Sequence, residues 1–225
     1  MEPTIADNIA KLKDEVAPYN AKIVLVTKKR SKAEIMQAYD AGLSCFGENR
    51  VQEFVDKVDE FPAGIEWHFV GHLQRNKIKD ILDKTHLIHS GDRERLLMSL
   101  EKEAEKQGVN LEVLLQFHIA EEEAKHGLSL EEAEKWLSAG NYDHFNHVWL
   151  AGVMGMATNT EDQDKIKREF STLSGYFSRL KEKYFRSESS FRELSMGMSG
   201  DYQIALEEGS TMIRVGQTVF GPRPE

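Results

Sequence analysis

Cysteine is nearly absent from this chain: Cys45 stands alone among 225 residues, so no internal disulfide can form and a reducing compartment fits. Placed just before Phe46 and Gly47, it reads as a small buried residue rather than a nucleophile. Long apolar runs are missing too. Nothing approaches the ~18 consecutive apolar residues of a spanning helix, and the N-terminus MEPTIADNIAKLKDEV lacks the apolar centre of a signal peptide. A cytoplasmic protein with no membrane partner is therefore expected. Positive charge is in deficit, with 29 Lys and Arg against 38 Asp and Glu and a formal net charge of −9. That balance argues against nucleic-acid binding, while a local basic site stays open. Proline is scarce at five residues, and no Pro/Gly/Ser-rich linker divides the chain, so residues 1–225 read as one domain.

What is present is 40% hydrophobic and 30% charged, ordinary for a globular protein, and it is rhythmic. Residues 3–17 carry Ile5, Ile9, Leu12 and Val16 at helical spacing. Residues 23–30, IVLVTKKR, form an apolar β-branched run that stops at three cations; Ser31, with Glu34 three positions on, then opens a helix through a capping box. Further strands are expected at 44–47, 66–70, 86–89, 111–118, 147–153, 191–194 and 211–215. Helices are expected at 51–60, 76–82, 92–107, 130–137, 162–184 and 201–208. Eight strands alternating with helices predict parallel pairing, and in one chain they favour an α/β fold closed as a single-domain (β/α)8 barrel of the TIM type. The polar stretch 186–190, RSESS, reads as the least ordered connection, and the charges of 162–184 as a solvated face.

In such a barrel the chemistry belongs at the carboxyl ends of the strands. Alternation puts Val24, Val26 and Lys28 on one face, so the Lys28 stem is packed and its amine reaches the rim beside Lys29 and Arg30. Desolvation and like charge both disfavour the ammonium form, the condition a Schiff-base lysine needs. A lysine that merely caps a strand fits the same stretch. In SMGMSGD at 195–201, Gly197, Ser199 and Gly200 precede a helix, with Asp201 read as a cap turned away from any anion; in RVGQT at 214–218, Gly216 and Gln217 follow the last strand directly. Barrels bind phosphate at these two strand ends. His68 reads as structural and His72 as a site candidate, while Met154, Met156, Met196 and Met198 are pocket or packing residues. His118 and His126 with Glu121, Glu122 and Glu123 match no compact zinc pattern, so no metal is expected.

Several segments together, VTKKR at 26–30, FGENRVQE at 46–53, WHFVGHLQRNK at 67–77, KHG at 125–127, GVMGMA at 152–157 and the final stretch 194–223, resemble the pyridoxal phosphate homeostasis proteins. Those are single-domain barrels similar to the N-terminal domain of alanine racemase. The resemblance runs in order along nearly the whole chain. It implies pyridoxal 5′-phosphate held covalently on Lys28, with Ser199, Gly216 and Gln217 as phosphate ligands and Arg214 facing the pyridine nitrogen. A guanidinium there cannot accept a proton, so the ring would be a weak electron sink. Asn49, His72 and Met154 resemble residues around the ring. The resemblance further implies a monomer that holds the cofactor and hands it to dependent apoenzymes, without catalytic turnover of its own; a racemase needs a second acid–base group, which alanine racemase draws partly from another domain. Two readings compete: an amino-acid racemase or lyase using Lys28 with Tyr202 or His72 as acid, and a sugar-phosphate aldolase built on Lys28. The chain departs from the family pattern at Thr27 and Ser31, where serine and proline are usual, and at His118 and Ala120, where asparagine and serine are usual.

Overall fold

The computed structural model describes residues 3–121 and 126–222. Eight parallel strands close into a barrel in chain order: β1 (Lys22–Val26), β2 (Cys45–Glu48), β3 (Glu66–Phe69), β4 (Leu87–Gly91), β5 (Leu111–Phe117), β6 (Val148–Gly155), β7 (Glu193–Ser195) and β8 (Met212–Val215). β8 pairs back onto β1, with Val24 opposite Arg214. Around them lie α1 (Ile5–Val16), α2 (Lys32–Asp40), α3 (Val51–Val58), α4 (Glu94–Gln107), α5 (Leu130–Ser138), α6 (Gln163–Tyr184), α7 (Tyr202–Glu207) and α8 (Gln217–Phe220).

Local chemistry starts and stops these helices. Complete capping boxes at Thr4 with Asp7, Ser31 with Glu34 and Ser129 with Glu132 pair donors that would otherwise be orphaned. Strand alternation then divides the apolar residues between two cores. Val24, Cys45, Leu87, Leu114, Ala151, Met154 and Met212 fill the barrel, while Leu25, Phe46, Phe69, Ile88, Val113 and Ile213 meet the helices.

Three expectations need correction. Between β3 and β4 the chain makes two 3-10 turns, Arg75–Asp80 and Leu82–Lys84, instead of an α-helix over 76–82; tight turns suffice to bury Ile78, Ile81 and Leu82. The 186–190 connection is pinned at both ends rather than loose, because Phe185 and Phe191 stack with ring centroids 4.2 Å apart at 3°. Phe191 is spent on that stack and β7 begins two residues later than expected. Finally, the charges of α6 are not all solvated. Glu169 is buried and accepts hydrogen bonds from Thr158 N at 2.6 Å and Thr158 Oγ1 at 2.7 Å, which ties down the loop after β6.

Phe191→Ala should lower stability by about 3–5 kcal/mol, seen as an earlier urea midpoint. A loss under about 1 kcal/mol would mean the stacked rings carry no weight in holding this connection.

Candidate functional site

The carboxyl ends of the strands surround a cavity of about 730 Å³. Lys28, Asn49, His72, Ser199, Arg214, Gly216 and Gln217 all line it. Met154 does not: at 1% exposure it belongs to the inner core, and Met156, two positions on and just past the end of β6, lines the cavity in its place. β6 continues as far as Gly155, so its rim lies later in the chain than the motif suggests.

Lys28 follows β1 in a turn closed by Arg30 N donating to Thr27 O at 3.1 Å, with Lys29 at φ 58. Both flanks of the lysine are fastened from below. Thr27 Oγ1 donates to Glu48 Oε1 at 2.6 Å, and Lys57 Nζ donates to that same oxygen at 2.6 Å and to Thr27 O at 2.9 Å. Lys29 N donates to Glu53 Oε2 at 2.9 Å, beside the same Lys57 ammonium. Glu48 is fully buried, and burial pushes its carboxyl above the usual range although Lys57 and Thr27 pull the other way. Arg30 extends the fastening to the far end of the chain, donating to Gly221 O at 2.6 Å and Pro222 O at 2.9 Å with its guanidinium over the Phe220 ring.

After β7 and β8 two amides and a hydroxyl converge. Gly216 N and Thr218 N both donate to Ser199 Oγ, at 3.2 and 3.3 Å. Gly197 makes the turn possible: its φ is +94, and an added Cβ would lie 2.6 Å from Ala205 Cβ. Asp201 departs from expectation, because it makes no side-chain cap; its Oδ1 accepts from Met198 N at 2.5 Å and the residue lines the cavity. The turn is short enough for the carboxylate to reach back rather than forward to the helix amides.

On the floor, Arg214 donates to Ser195 Oγ at 2.6 Å and to Gly155 O at 3.0 Å, and burial pulls its guanidinium down to about 10. The side-chain oxygen of Asn49 is buried with no protein partner. Such an orphan costs about 1–3 kcal/mol, which a ligand donor would offset. His72 Nδ1 lies 2.9 Å from Asp92 Oδ2, and its ring stacks on His126 at 4.2 Å. His72, Asp92 and His126 offer ligand atoms within 4.8 Å of one another, but Arg93 and His72 already engage both Asp92 oxygens. His72 is thus an imidazole oriented by Asp92.

Other candidates lie elsewhere. His118 folds onto Ala120 O, with Nε2 at 2.6 Å; Tyr202 pairs its hydroxyl with Glu15 of α1; neither lines the cavity. Glu122 and Glu123 lie outside the described residues. Sequence reasoning missed Gln116, Asn159 and the lining role of Arg30. Gln116 shares the inward parity of Leu114, a usable signal; apart from Glu34, the partners of Arg30 lie about 190 residues away, beyond any local pattern.

These features define a parallel barrel with a lysine-bearing ligand chamber at the carboxyl ends of its strands. The chain belongs to the family described as alanine racemase, N-terminal domain, whose model matches residues 3–224. Within it, the chain is 34% identical over 204 residues to a pyridoxal phosphate homeostasis protein of Aquifex aeolicus, covering 90% of this chain and 87% of that one. It is 36% identical over 201 residues to the protein of that name in Helicobacter pylori, covering 88% and 86%. Among solved structures it is similar to PipY of Synechococcus elongatus with pyridoxal phosphate bound, at TM-score 0.87 and 29% identity, covering 97% and 100%.

Lys57→Met would leave the Glu48 carboxylate buried and unpaired, at a cost of about 3–5 kcal/mol. Because the folded-state affinity of Glu48 for a proton is already raised, protonation relieves that burial. The loss should therefore be greatest near neutrality and shrink as pH falls toward the ordinary carboxyl value of 4.5. Urea unfolding at about pH 7.5 and about pH 5 measures it, and an equal loss at both would contradict this role.

Proposed function

We propose that this chain binds pyridoxal 5′-phosphate on Lys28, holds it, and hands it to enzymes that depend on it. One observation carries the reading: Lys28, just after β1, lines the same cavity as Ser199 and Gly216, whose hydroxyl and amide meet after β7 and β8. The residues fit the group. Ser199, Gly216 and Gln217 suit a phosphate, the orphaned oxygen of Asn49 awaits a donor, and Arg214 offers a cation toward a ring nitrogen. When bound, the cofactor supplies an aldehyde for the lysine and an electron-accepting ring. The protein's own part is to bind, orient and release it. Holding without turnover is supported by the homeostasis names of the relatives and by the commitment of Tyr202 to Glu15. A reducing compartment accords with the single, buried thiol of Cys45, and no helix among the described residues is long and apolar enough to cross a membrane. A second reading, an amino-acid racemase or lyase, is favoured by His72, an imidazole oriented by Asp92 within the cavity.

Added cofactor should produce a visible absorption band, and borohydride should fix a phosphopyridoxyl mass on the Lys28 peptide but not in Lys28→Ala. Ser199→Ala should weaken binding about tenfold, the worth of one charge-assisted hydrogen bond, while binding of unphosphorylated pyridoxal stays unchanged. Failure to take up cofactor sinks the reading and reopens the sugar-phosphate one. Exchange of an amino-acid α-hydrogen in deuterated water, lost in His72→Ala, would replace the holder by the enzyme.

A further inference from the structure

Beneath the cavity the barrel interior is not uniformly apolar. Cys45, His68, His89, Ser195 and Arg214, contributed by β2, β3, β4, β7 and β8, are all buried and form one unbroken column. Cys45 Sγ lies 3.3 Å from His68 Nε2, His68 Nδ1 lies 2.9 Å from His89 Nε2, and His89 Nδ1 lies 3.0 Å from Ser195 Oγ. Arg214 Nη1 donates to that same serine oxygen at 2.6 Å. Only the last member, Arg214, lines the cavity.

Donor and acceptor chemistry gives the column a direction. A guanidinium only donates, so Ser195 Oγ accepts from Arg214. Both ring nitrogens of each histidine are engaged. Burial keeps both rings neutral, with His68 pulled down to about 3 and His89 well below its usual value, so each ring donates once and accepts once. In one order the Ser195 hydroxyl donates to His89 Nδ1, His89 Nε2–H donates to His68 Nδ1, and His68 Nε2–H donates to Cys45 Sγ. In the reverse order Ser195 accepts twice, its own hydrogen finds no acceptor among the described hydrogen bonds, and the weak thiol donor heads the chain. The first order uses every strong donor and turns lone pairs toward the guanidinium, whose field favours it.

The column also provides much of what solvates this buried cation. The described hydrogen-bond partners of Arg214, Ser195 Oγ and Gly155 O, are both neutral, with the charge of Asp201 as added support. At the lower end, His86 stacks on His68 at 5.6 Å, and Lys22, Glu66 and Glu193 surround Cys45. Lys22 and His86 both oppose a charge on His68.

We propose that His89 and His68 are positioning residues for Arg214: acting through Ser195, they fix its guanidinium at the cavity floor and thereby set the proton affinity of a ligand ring nitrogen placed against it. This rests on the cofactor reading, so the test has one arm that needs no cofactor. In the unliganded protein, nitrogen NMR of the imidazoles should find His68 and His89 neutral, each protonated at Nε2, and unresponsive between about pH 8 and pH 5. A proton on Nδ1 of either ring, or titration near the ordinary value, would overturn the order. In the loaded protein, pyridoxal phosphate labelled at its ring nitrogen should report an unprotonated ring at neutral pH. Ser195→Ala and His89→Leu should raise its protonation midpoint by about half a pH unit or more, and Ser195→Thr, which keeps the hydroxyl, should restore the wild-type value. Unchanged midpoints in both loaded variants would refute the positioning role, and Ser195→Ala alone decides it if His89→Leu does not fold. If the wild type binds no cofactor, the functional reading falls and the imidazole measurement still judges the column.

Discussion

Glu48 has no exposed surface, yet it ends β2 as a carboxyl bonded to Thr27 and Lys57, each at 2.6 Å. Removing a carboxylate from water costs several kcal/mol, so such a group persists only where its partners are held in good geometry. Here the partners are the neighbours of Lys28 itself. Thr27 stands immediately before the lysine; Lys57 reaches up from α3 to Thr27 O; and Glu53, on the same helix, takes the amide of Lys29. The turn that carries Lys28 is thus clamped by a network on β2 and α3 rather than by its own backbone alone. That is what permits a non-glycine residue at φ 58 in the middle of it. The strain sits beside the lysine, and the network over-determines it.

The same accounting governs the barrel interior. A packed parallel barrel is usually filled by branched aliphatic side chains, and Val24, Leu87 and Leu114 follow that habit in the interior here. The polar residues of the central column each find a partner: His68 and His89 share a bond, Ser195 serves His89 and Arg214, and the second guanidinium nitrogen takes the carbonyl of Gly155. Arg214 is therefore oriented by the barrel before any ligand arrives. Preorganised charge of this kind spares a binding event the cost of ordering a long flexible side chain.

Much of this was legible in the residues. Eight strand–helix alternations specify a closed barrel through the period of their apolar positions, and Lys28, Ser199 and Gly216 can be placed at the rim because each directly follows a strand or precedes a helix. What was not legible depends on register or on distance. Ala151 and Met154 both face the barrel interior although they are three residues apart, because the β5–β6 pairing slips a position between Val113 and Leu114. Gly152 absorbs the slip at φ 148, where an added Cβ would lie 1.9 Å from Glu193 O. A period-two pattern has no sign of such a slip. It sets Met154 one layer too deep for the cavity and brings Met156 to the rim. Asp92 and His126 meet His72 from two other loops, and beyond its neighbour Glu34, Arg30 meets residues at the opposite end of the chain; these long-range meetings leave no local trace.

Whether the chamber holds its ligand or transforms it turns on proton-transfer groups. A site that moves a proton on and off a carbon needs an acid–base pair shielded from bulk water and a ring that accepts electrons readily. Tyr202 bonds to Glu15 of α1 and does not line the cavity. His72 lines the cavity and is oriented by Asp92, and its side chain is 39% exposed. Arg214 brings only donors to the floor and offers no base that would keep a proton on a ring nitrogen. An exposed imidazole at the mouth and a fixed cation below accord with the capture and release proposed for this chain. The clamped turn at Lys28 presents to the cavity the amine on which that proposal rests.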